Sequence, residues 1–576
     1  MSTIEFKTAP QILLENGLSY PHKIRFQLAQ SGGWVPIKWS QYLHETAILG
    51  IFLREIGMGS GVKGAVYANT CYQWACAGMA IQGAGGALVP IYPSNTAQQV
   101  AYVLSHSDAK VCFIEQAYLK NLSQIIADLK DLQTVIVMDL DQDSMANKLA
   151  EFDLDQDCAV RFICLQEALR SNTQSEQSVI SLFQKIVAEI KPEQIGQILY
   201  TSGTTGNPKG VELSHWNVVV NGDDWLQVLG EMIPEQRIDL LWLPLSHIFG
   251  WGEIGLGNAL LFETYFSDPR TVLNDLAKVQ PTVFMSVPAY WEKLYVQAGE
   301  ACQNQDEHIA NLKQITGGKL GFCLSGGAGL KREIKDFYLK AGILLVEGYG
   351  LTECSPTLTM NSKTAFDFDS VGKPFPSVEV QLAEDGEILA KGPNVFSGYY
   401  KDPLATQQAF NEEGWFMTGD LGEFTPAGFL KIVGRKKDIL VTAGGKNISP
   451  QLIEQRFADN HFIEHIVLYG NERKYLTAMI TLRREAIFQL FKKSLGPDSS
   501  FSDLIQTDTV RSCIDREIQK VNQELASYET IKKFWIHPQS LDVPSGFLTP
   551  SLKIRRMAIH KAFEEEFNDL YQQGEK

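Results

Sequence analysis

Short apolar runs that alternate with helix-like segments constrain the fold of this chain more than any other feature. Between residues 63 and 140 these runs are KGAVYA, GALVPIY, AKVCFIE and TVIVMDL, each the length of one buried strand. The intervening residues 96–107 and 117–131 are typical of helices. Alternation at this spacing predicts layered α/β structure with largely parallel sheets. A chain of 576 residues is also too long for one core, so we expect several structural units.

The pattern changes twice further along the chain. Residues 141–178 are polar and are predicted to form a surface excursion, after which the alternation resumes at Gln197. After about residue 375, apolar residues recur with period two around turns at Asp385-Gly386 and near Pro426-Gly428. This pattern predicts a small antiparallel sheet or a distorted barrel.

A run of charged residues marks a boundary between two units. Beyond Gly434 the chain becomes mixed α/β and more basic, and four of the five residues Arg435–Ile439 are charged. A charge run at a junction is often only a solvated linker. We predict a larger unit over residues 1–435 and a smaller α+β unit over residues 436–576.

The composition excludes several classes of protein. Lysines and arginines number 51 against 67 aspartates and glutamates, which gives a net charge of −16. Because nucleic-acid phosphates are neutralised by clustered cations, we do not expect nucleic acid as a partner. The nine cysteines are scattered without a CxxC pair. This argues against a zinc ribbon or a disulfide scaffold and favours a reducing compartment.

The sequence predicts neither a signal peptide nor a transmembrane segment. The stretch MSTIEFKTAPQILLENG carries acidic residues and has no long apolar run. The nearest candidate for a membrane span, Cys76–Pro93, is interrupted by Gln82 and several glycines, and is typical of a buried helix, a turn and a buried strand. We therefore expect a cytoplasmic protein, and the sequence leaves open a peripheral association with a membrane.

Residues 200–210, YTSGTTGNPKG, combine three glycines, four serines or threonines and one lysine. Glycine lets backbone N–H groups approach an anion closely, and Lys209 adds a point charge suited to phosphate. The segment therefore predicts a polyphosphate-binding loop between two strands, with a plain hairpin turn as the alternative. It is not a Walker A loop, because Lys209 is followed by Gly210 and a strand.

The longer stretch YTSGTTGNPKGVELSH closely resembles the phosphate loop of the adenylate-forming superfamily, which includes acyl-CoA synthetases, luciferases and peptide-synthetase adenylation domains. Six further segments resemble motifs of that superfamily in the same order: LPLSHIFG (243–250), SGGAGL (325–330), EGYGLTECSP (347–356), GWFMTGDLGEF (414–424), GRKKDILVTAGGKNISPQLIE (434–454) and GFLTPSLKIRR (546–556). The resemblance implies a large N-terminal domain of layered α/β sheets with a small distorted β-barrel, followed by a small mobile C-terminal α+β domain.

The resemblance also implies a reaction. The carboxylate of an acid attacks the α-phosphate of ATP, pyrophosphate leaves, and a thiol then displaces AMP from the acyl-adenylate. Negative charge develops on phosphate and acyl oxygens, so catalysis is expected to be mainly electrostatic and positional. The implied cofactors are ATP, Mg²⁺ and coenzyme A.

Roles for individual residues follow from the matched motifs. Glu353 would bind Mg²⁺, a hard cation suited to carboxylate and phosphate oxygens, and Thr352 would contact the α-phosphate. The β- and γ-phosphates would be held by Thr201, Ser202, Gly203, Thr204, Thr205, Gly206 and Lys209. The nucleoside would be held by Gly327, Ala328, Tyr349, Gly350, Asp420 and Arg435, with Tyr349 stacked on adenine and Asp420 accepting hydrogen bonds from the ribose.

Four further residues carry implied or alternative roles. Lys553 would bridge the acyl carboxylate and the α-phosphate during adenylation, and Lys437 matches the hinge position. His247 would lie beside the acyl carboxylate, although a histidine among apolar neighbours is often a satisfied core residue. Cys354 adjoins Glu353, and we interpret it as a packing residue.

Several segments, LTPSLKIRR above all, look most like the long-chain fatty acyl-CoA synthetase branch. An acyl tunnel would then lie behind residues 243–330, and its wall could include Trp242, Phe249, Trp251 and Phe284, unless these are plain core residues. The expected substrate is a long-chain fatty acid, and the expected acceptor is CoA.

The sequence leaves other interpretations of the acceptor and of the function open. The acceptor could instead be the phosphopantetheine arm of an acyl carrier protein, or the reaction could stop at the adenylate. We see no extra segment between Arg435 and Glu454, which favours a full synthetase. A luciferase-like oxygenase and a non-catalytic binding protein are alternatives from other classes, and a homodimer is left open.

Overall fold

The computed structural model describes residues 7–154, 159–201, 207–300, 302–458, 460–491, 500–549 and 553–572. The strands in this part of the chain are β1 (Ile24–Gln30), β2 (Gly33–Lys38), β3 (Lys63–Tyr67), β4 (Ala87–Ile91), β5 (Ala109–Ile114), β6 (Thr134–Val137), β7 (Arg161–Cys164), β8 (Ile195–Thr201), β9 (Lys209–Ser214), β10 (Ile238–Leu241), β11 (Glu263–Phe266), β12 (Val283–Ser286), β13 (Phe322–Ser325), β14 (Leu344–Gly350), β15 (Thr357–Met360), β16 (Lys373–Pro374), β17 (Glu379–Leu382), β18 (Glu387–Lys391), β19 (Gly398–Tyr399), β20 (Phe416–Phe424), β21 (Leu430–Arg435), β22 (Leu440–Val441), β23 (Asn447–Ile448), β24 (Ile463–Tyr469), β25 (Leu476–Leu482) and β26 (Ile531–Ile536).

The α-helices surround and separate the sheets. They are α1 (Ala9–Ser19), α2 (Trp39–Glu55), α3 (Tyr72–Gly83), α4 (Ala97–Ser107), α5 (Leu119–Ser123), α6 (Gln142–Glu151), α7 (Leu165–Arg170), α8 (Glu176–Ala188), α9 (His215–Leu229), α10 (Ile248–Leu260), α11 (Val272–Val279), α12 (Pro288–Gly299), α13 (Gln305–Thr316), α14 (Arg332–Lys340), α15 (Pro403–Ala409), α16 (Pro450–Glu454), α17 (Arg484–Phe491), α18 (Phe501–Ile505), α19 (Asp508–Asn522), α20 (Arg556–Ala562) and α21 (Glu564–Gln572).

Two large mixed sheets form the body of the molecule. The first has eight strands in the order β19-β9-β8-β4-β3-β5-β6-β7, and the second has nine in the order β16-β15-β14-β13-β12-β10-β11-β1-β2. Neighbouring strands are parallel through the middle of each sheet, and antiparallel strands occur only towards the ends of the order, at β8-β9-β19, β1-β2 and β14-β15-β16. The layered α/β fold predicted from the strand–helix alternation is confirmed.

Helices α2 and α3 lie in an apolar core that reaches both large sheets. Eleven of the twelve residues of α3 are buried, and the same core includes Phe113 of the first sheet and Phe284 of the second. Gly78 of α3 has to be small, because an added Cβ would lie 2.8 Å from the ring of Trp251. This close packing fixes α10, and with it the segment that precedes α10, against the rest of the domain.

Local sequence explains where the elements near the site begin. Ser214, the last residue of β9, also caps α9, because its hydroxyl accepts the backbone N–H of Asn217 while the Asn217 side chain accepts that of Ser214. A reciprocal pair of this kind satisfies two backbone donors that would otherwise be unpaired. Thr96 and Gln99 make the same capping box at the start of α4, inside the helix predicted at 96–107.

The remaining strands form smaller units. The alternation after residue 375 corresponds to a four-stranded antiparallel sheet in the order β17-β18-β20-β21, with Gly386 and Gly428 in its two predicted turns at φ +84° and +79°. Beyond it, β22 pairs with β23, and β24-β25-β26 form a three-stranded sheet. The apolar side chains of this last sheet pack on α19 and α21 in two cores of their own.

Two predictions about local structure were wrong. The polar stretch 141–178 is not a simple surface excursion, because it contains α6, α7 and the edge strand β7, which pairs in parallel with β6. Strand β7 is short, and only its residues Ile163 and Cys164 are buried, so it adds little apolar sequence to a stretch that is polar as a whole. The helix predicted at 117–131 is interrupted after α5, where Ile125 has a non-helical φ of −128°.

Candidate active site

The parallel strands deliver several of the predicted site residues to one edge of the second sheet. The segment 243–250 follows β10, the turn 326–330 follows β13, and residues 351–356 follow β14. Strands β10, β12, β13 and β14 run parallel as neighbours, so the residues that follow them lie at the same edge. Ligands of open α/β sheets bind outside the carboxyl ends of the strands, and this edge is the candidate active site.

A tight turn after β14 presents Glu353. Gly350 is required there, because an added Cβ would lie 1.9 Å from the carbonyl oxygen of Pro356. Thr352, Glu353 and Cys354 then form one 3₁₀ turn. Cys354 is completely buried, as expected for a packing residue, while Thr352 and Glu353 remain partly accessible. Burial raises the pKa of Glu353 above its ordinary value.

Asp420 lies at the centre of a second polar group. The Tyr349 hydroxyl donates to Asp420 Oδ2 at 2.7 Å, and Arg435 Nε lies 2.8 Å from Asp420 Oδ1. Asp420 and Arg435 are direct partners in the β20–β21 ladder, so the sheet itself sets this ion pair. Burial raises the pKa of Asp420, and the positive charge of Arg435 opposes that rise. The three residues predicted around the ribose and adenine are therefore in contact.

The turn predicted beside adenine is anchored by an ion pair that the sequence analysis missed. Glu347 Oε1 accepts the backbone N–H of Leu330 at 2.7 Å, and Lys335 pairs with the other oxygen of Glu347. Both charged side chains are at least 94% buried. The turn between them leaves Gly327 and Ala328 exposed, with Gly327 at φ +87°. Nothing in the spacing of Lys335 and Glu347 marks them as partners.

His247 begins α10 and is held in one tautomer. Its Nδ1 accepts the backbone N–H of Phe249 at 3.1 Å and so caps the helix. Burial lowers the pKa of His247 to about 4, and the nearby charge of Lys553 also lowers it. The imidazole is therefore neutral at pH 7, and because Nδ1 accepts, the proton lies on Nε2, where it can be donated to an anion.

Three of the four residues considered for an acyl tunnel are core residues. Trp242 packs on Tyr290, Trp251 on Trp74, and Phe284 on Trp291, with ring centroids 4.0, 5.0 and 5.2 Å apart. None of the three tunnel candidates is more than 5% exposed. A side chain with almost no accessible surface cannot form the wall of an open tunnel, so the core alternative holds for them. Phe249 is partly accessible and contacts Gly326 of the adenine-side turn.

The C-terminal part of the chain brings Lys553 to this site. Asp420, Glu353 and Arg435 lie close enough to Lys553 for their charges to act on it. Lys553 is accessible to water, but the protein around it lowers the pKa of its ammonium group, and Arg435 lowers that pKa further. The segment is fixed from behind by Arg556, whose guanidinium makes a buried two-pronged ion pair with Glu454.

The hinge candidate Lys437 lies on the surface rather than among the nucleotide-site residues. It belongs to a 3₁₀ turn, Lys436–Asp438, and its side chain is exposed. Its neighbour Lys436 makes the contacts instead, since its ammonium group lies 2.5 Å from Asp385 and 2.7 Å from Glu387 of the antiparallel sheet. The role of Lys437 as a hinge residue stays a prediction.

Only the two ends of the phosphate loop are described. Thr201 and Lys209 face each other as the last pair of the β8–β9 hairpin, as the strand–loop–strand prediction requires. Ser202, Gly203, Thr204, Thr205 and Gly206, which are predicted to hold phosphate, lie outside the described residues. The ammonium group of Lys209 stands 4.7 Å from the ring centroid of Tyr399. The Tyr399 hydroxyl donates to Glu353 Oε1 at 2.9 Å, so the loop and the Glu353 turn are joined through one side chain.

The donor set at Glu353 fits a magnesium ion that arrives with ATP. Mg²⁺ is usually held by one or two carboxylates together with substrate phosphates and waters, rather than by an all-protein cage. Glu353 is such a carboxylate, partly accessible and within electrostatic reach of Lys209. Within the described ranges, no cluster of three or more histidine, cysteine, aspartate or glutamate side chains could hold a metal ion.

Comparisons with known families identify the chain. The profile described as "AMP-binding enzyme" matches residues 15–400, and the one described as "AMP-binding enzyme C-terminal domain" matches residues 437–575. The chain belongs to the AMP-binding enzyme family. This agrees with the adenylate-forming resemblance of its motifs.

Curated relatives within this family are similar over almost the whole chain. The long-chain-fatty-acid–CoA ligase FadD15 of Mycobacterium tuberculosis is 28% identical, over 98% of this chain and 97% of that protein. Long-chain-fatty-acid–CoA ligase 5 of Rattus norvegicus is 29% identical, over 89% of this chain and 80% of its own.

Solved structures of other proteins share the fold. The A domain of carboxylic acid reductase from Segniliparus rugosus, in complex with AMP and a co-purified carboxylic acid, matches with a TM-score of 0.80 at 19% identity, over 99% of this chain and 95% of that one. The anthranilate CoA ligase AuaEII, in complex with anthranoyl-AMP, matches with a TM-score of 0.75 at 19% identity, over 97% of each chain.

As for membranes, no helix in the described ranges combines the length and the apolar character needed to span a bilayer.

Proposed function

We propose that this protein is an ATP-dependent ligase that joins a long-chain fatty acid to coenzyme A and releases AMP and pyrophosphate. The observation that carries the proposal is that Lys553 lies within electrostatic reach of His247, Glu353 and the Asp420–Arg435 pair in a member of the AMP-binding enzyme family. Relatives named as long-chain-fatty-acid–CoA ligases, similar over most of the chain, support the choice of acid and acceptor.

In the first half-reaction, an oxygen of the fatty-acid carboxylate attacks the α-phosphorus of ATP, and the bond to pyrophosphate breaks. Both reactants are anions, so a fixed cation between them lowers the barrier. We assign this bridging to Lys553, with the Thr352 hydroxyl on the α-phosphate. Thr201 and Lys209, with the loop between them, bind the β- and γ-phosphates. Mg²⁺ bound at Glu353 would neutralise phosphate charge.

The nucleoside is assigned to the group around Asp420. Tyr349 would stack on adenine, with Gly327, Ala328 and Gly350 lining the ring. A carboxylate has about four lone-pair sites. Tyr349 and Arg435 each take one on Asp420, so capacity is left to accept hydrogen bonds from the ribose hydroxyls.

The acyl carboxylate is assigned to the N-terminus of α10, where His247 lies. The neutral His247 can donate its Nε2 proton to a carboxylate oxygen without adding a full charge that would compete with Lys553. Phe249, partly accessible beside Gly326, is assigned to contact the first carbons of the chain.

In the second half-reaction, the thiol of CoA loses its proton to the solvent and its sulfur attacks the acyl carbon, so that the carbon–sulfur bond forms and the bond to AMP breaks. We propose that the units 1–435 and 436–576 rotate about a hinge at Lys437 between the two steps. Because Lys553 lies within electrostatic reach of Asp420 and Glu353, we assign the present structure to the adenylation step. An acyl carrier protein is the alternative acceptor, and a cytoplasmic location stays a prediction from the sequence.

Pyrophosphate exchange tests the first half-reaction in isolation. Labelled pyrophosphate should enter ATP only when a fatty acid and Mg²⁺ are both present, and long-chain acids should support the fastest exchange. Exchange that is independent of added acid, or that is supported only by aromatic or amino acids, would overturn the assignment of the substrate.

Replacing Asp420 with asparagine should weaken ATP binding. Hydrogen bonds to charged groups are worth about 1.5–3 kcal/mol each, so we expect the ATP concentration for half-maximal exchange to rise by about 10- to 100-fold. Glu423→Gln is the matched control, since Glu423 lies on the same strand with its side chain 64% exposed. An Asp420→Asn enzyme with the ATP requirement of the control would show that the ribose is bound elsewhere.

A further inference from the structure

Tyr399 lies between two charged residues of the proposed ATP site. Its hydroxyl donates to Glu353 Oε1 at 2.9 Å, and the ammonium group of Lys209 stands 4.7 Å from its ring centroid. An ammonium group at this distance from an aromatic ring is attracted by the ring's negative face. One side chain therefore contacts both the carboxylate assigned to Mg²⁺ and the lysine assigned to phosphate.

The backbone holds Tyr399 firmly in this position. Strand β19 pairs with β9, so that Tyr399 lies opposite Val211, at the end of the hairpin that carries the phosphate loop. The backbone N–H of Tyr399 donates to Thr406 Oγ1 at 2.8 Å. The backbone N–H of Phe396 donates to the carbonyl oxygen of Glu353, also at 2.8 Å. The segment 396–399 thus contacts Glu353 through both its main chain and its side chain.

These contacts restrict how the Glu353 carboxylate can turn. A carboxylate held by one hydrogen bond keeps one oxygen on the donor and directs the other oxygen elsewhere. Groups that orient a metal-binding side chain in this way tune its affinity for the metal without touching the metal themselves. The ring of Tyr399 meanwhile limits where the flexible Lys209 ammonium can lie.

We propose that Tyr399 is a positioning residue of the ATP site, whose hydroxyl orients Glu353 for Mg²⁺ and whose ring seats Lys209 beside the phosphates. The inference rests on the proposed function, because it takes Glu353 and Lys209 to be ligands of Mg·ATP. It adds to the site a residue from the segment SGYYKDP, which matches none of the motifs that indicate the adenylate-forming chemistry.

The neighbouring tyrosine supplies a matched control. Tyr400 also has an ammonium group near its ring, with Lys63 at 4.8 Å, but its hydroxyl donates to Asp108 at 2.9 Å. Tyr399→Phe and Tyr400→Phe therefore remove the same atom from adjacent residues, and only the first removes a bond to Glu353.

The test is a calorimetric titration of the full-length protein with ATP, in a series of Mg²⁺ concentrations and in EDTA. For Tyr399→Phe we expect the Mg²⁺ concentration needed for half-maximal enhancement of ATP binding to rise by about 10- to 100-fold, the usual effect of losing a residue that orients a metal ligand. Affinity in EDTA should stay unchanged, because the ring still seats Lys209. Tyr400→Phe should match the wild type under both conditions.

A second variant separates the ring from the hydroxyl. Tyr399→Leu also removes the aromatic face, so it should weaken ATP binding in EDTA as well, by several-fold. Its unfolding temperature, compared with that of Tyr400→Leu, indicates how much of the loss comes from packing.

The outcomes distinguish failure of this inference from failure of the proposed function. If the wild type binds ATP with no dependence on Mg²⁺, the proposed function is wrong at this site. If the wild type depends on Mg²⁺ and Tyr399→Phe has the same Mg²⁺ requirement as Tyr400→Phe, the positioning role is wrong while the proposed function stands.

Discussion

Replacing Lys553 with alanine is expected to slow adenylation by about 100- to 1000-fold, the range found when one preorganised donor is removed from a charged transition state. Lys553 lies within electrostatic reach of His247, on the acyl side, and of Asp420, on the nucleotide side. Arg435, the cation whose charge acts on Lys553, is engaged by Asp420 at 2.8 Å and so is not free to take its place. The repulsion between carboxylate and phosphate would then be unopposed.

The second half-reaction should respond differently to the same change. When acyl-adenylate is supplied, Lys553→Ala should form the thioester at nearly the wild-type rate, because the bridged anions are no longer reacting with each other. Rapid-quench assays of the two half-reactions measure this split. Lys561→Ala is the control, since Lys561 is an exposed lysine of the same C-terminal part. Equal losses in both half-reactions would contradict the role assigned to Lys553.

Replacing Arg25 with methionine is expected to destabilise the fold by about 3–5 kcal/mol, the usual cost of leaving a buried charge without its partner. Arg25 is completely buried. Its guanidinium donates to Asn258 Oδ1 at 2.9 Å and Thr264 Oγ1 at 2.7 Å, and the positive charge acts on the buried carboxyls of Asp239 and Glu253. Methionine fills a similar volume but provides neither the charge nor the donors.

The physical cause of the stability loss expected for Arg25→Met can be tested by also replacing the buried carboxyls of Asp239 and Glu253. Burial raises the pKa of both Asp239 and Glu253, and each lies close to the other. If the unpaired charge causes most of the loss, then Arg25→Met combined with Asp239→Asn and Glu253→Gln should recover part of it. Chemical denaturation followed by tryptophan fluorescence measures the midpoints. Lys23→Met, at an exposed site two residues away, is the control and should change the denaturation midpoint little. If Arg25→Met lowers the midpoint as little as Lys23→Met does, the interpretation is wrong.

The sequence predicts those parts of the molecule that depend on local patterns. Strand–helix alternation over residues 63–140 gives four of the central strands of the first sheet, because a buried parallel strand has to be a short apolar run. The turns at Gly386 and Gly428 are recognisable because both glycines occupy the left-handed region. The motifs around Tyr349, Glu353 and Asp420 are contiguous, so their resemblance to a known family could be read directly.

The sequence does not predict features that depend on contacts between distant segments. Arg25 meets partners more than 220 positions away, and an arginine in the strand IRFQLAQ would ordinarily be expected to face solvent. The Lys335–Glu347 pair and the Tyr399–Glu353 bond are of the same kind, since nothing in the spacing of these residues marks them. Strand β7 was missed because it is only four residues long and lies within a polar stretch, where its pairing with β6 has no local signal.

The most direct test of the central claim is to measure AMP and acyl-CoA together, with ATP, CoA and fatty acids of increasing chain length. We expect both products to accumulate in equal amounts over many turnovers, only when all three substrates are present, and fastest with a long-chain acid. If AMP forms without acyl-CoA, the acceptor is not CoA. If no fatty acid supports AMP formation, the proposed function is wrong.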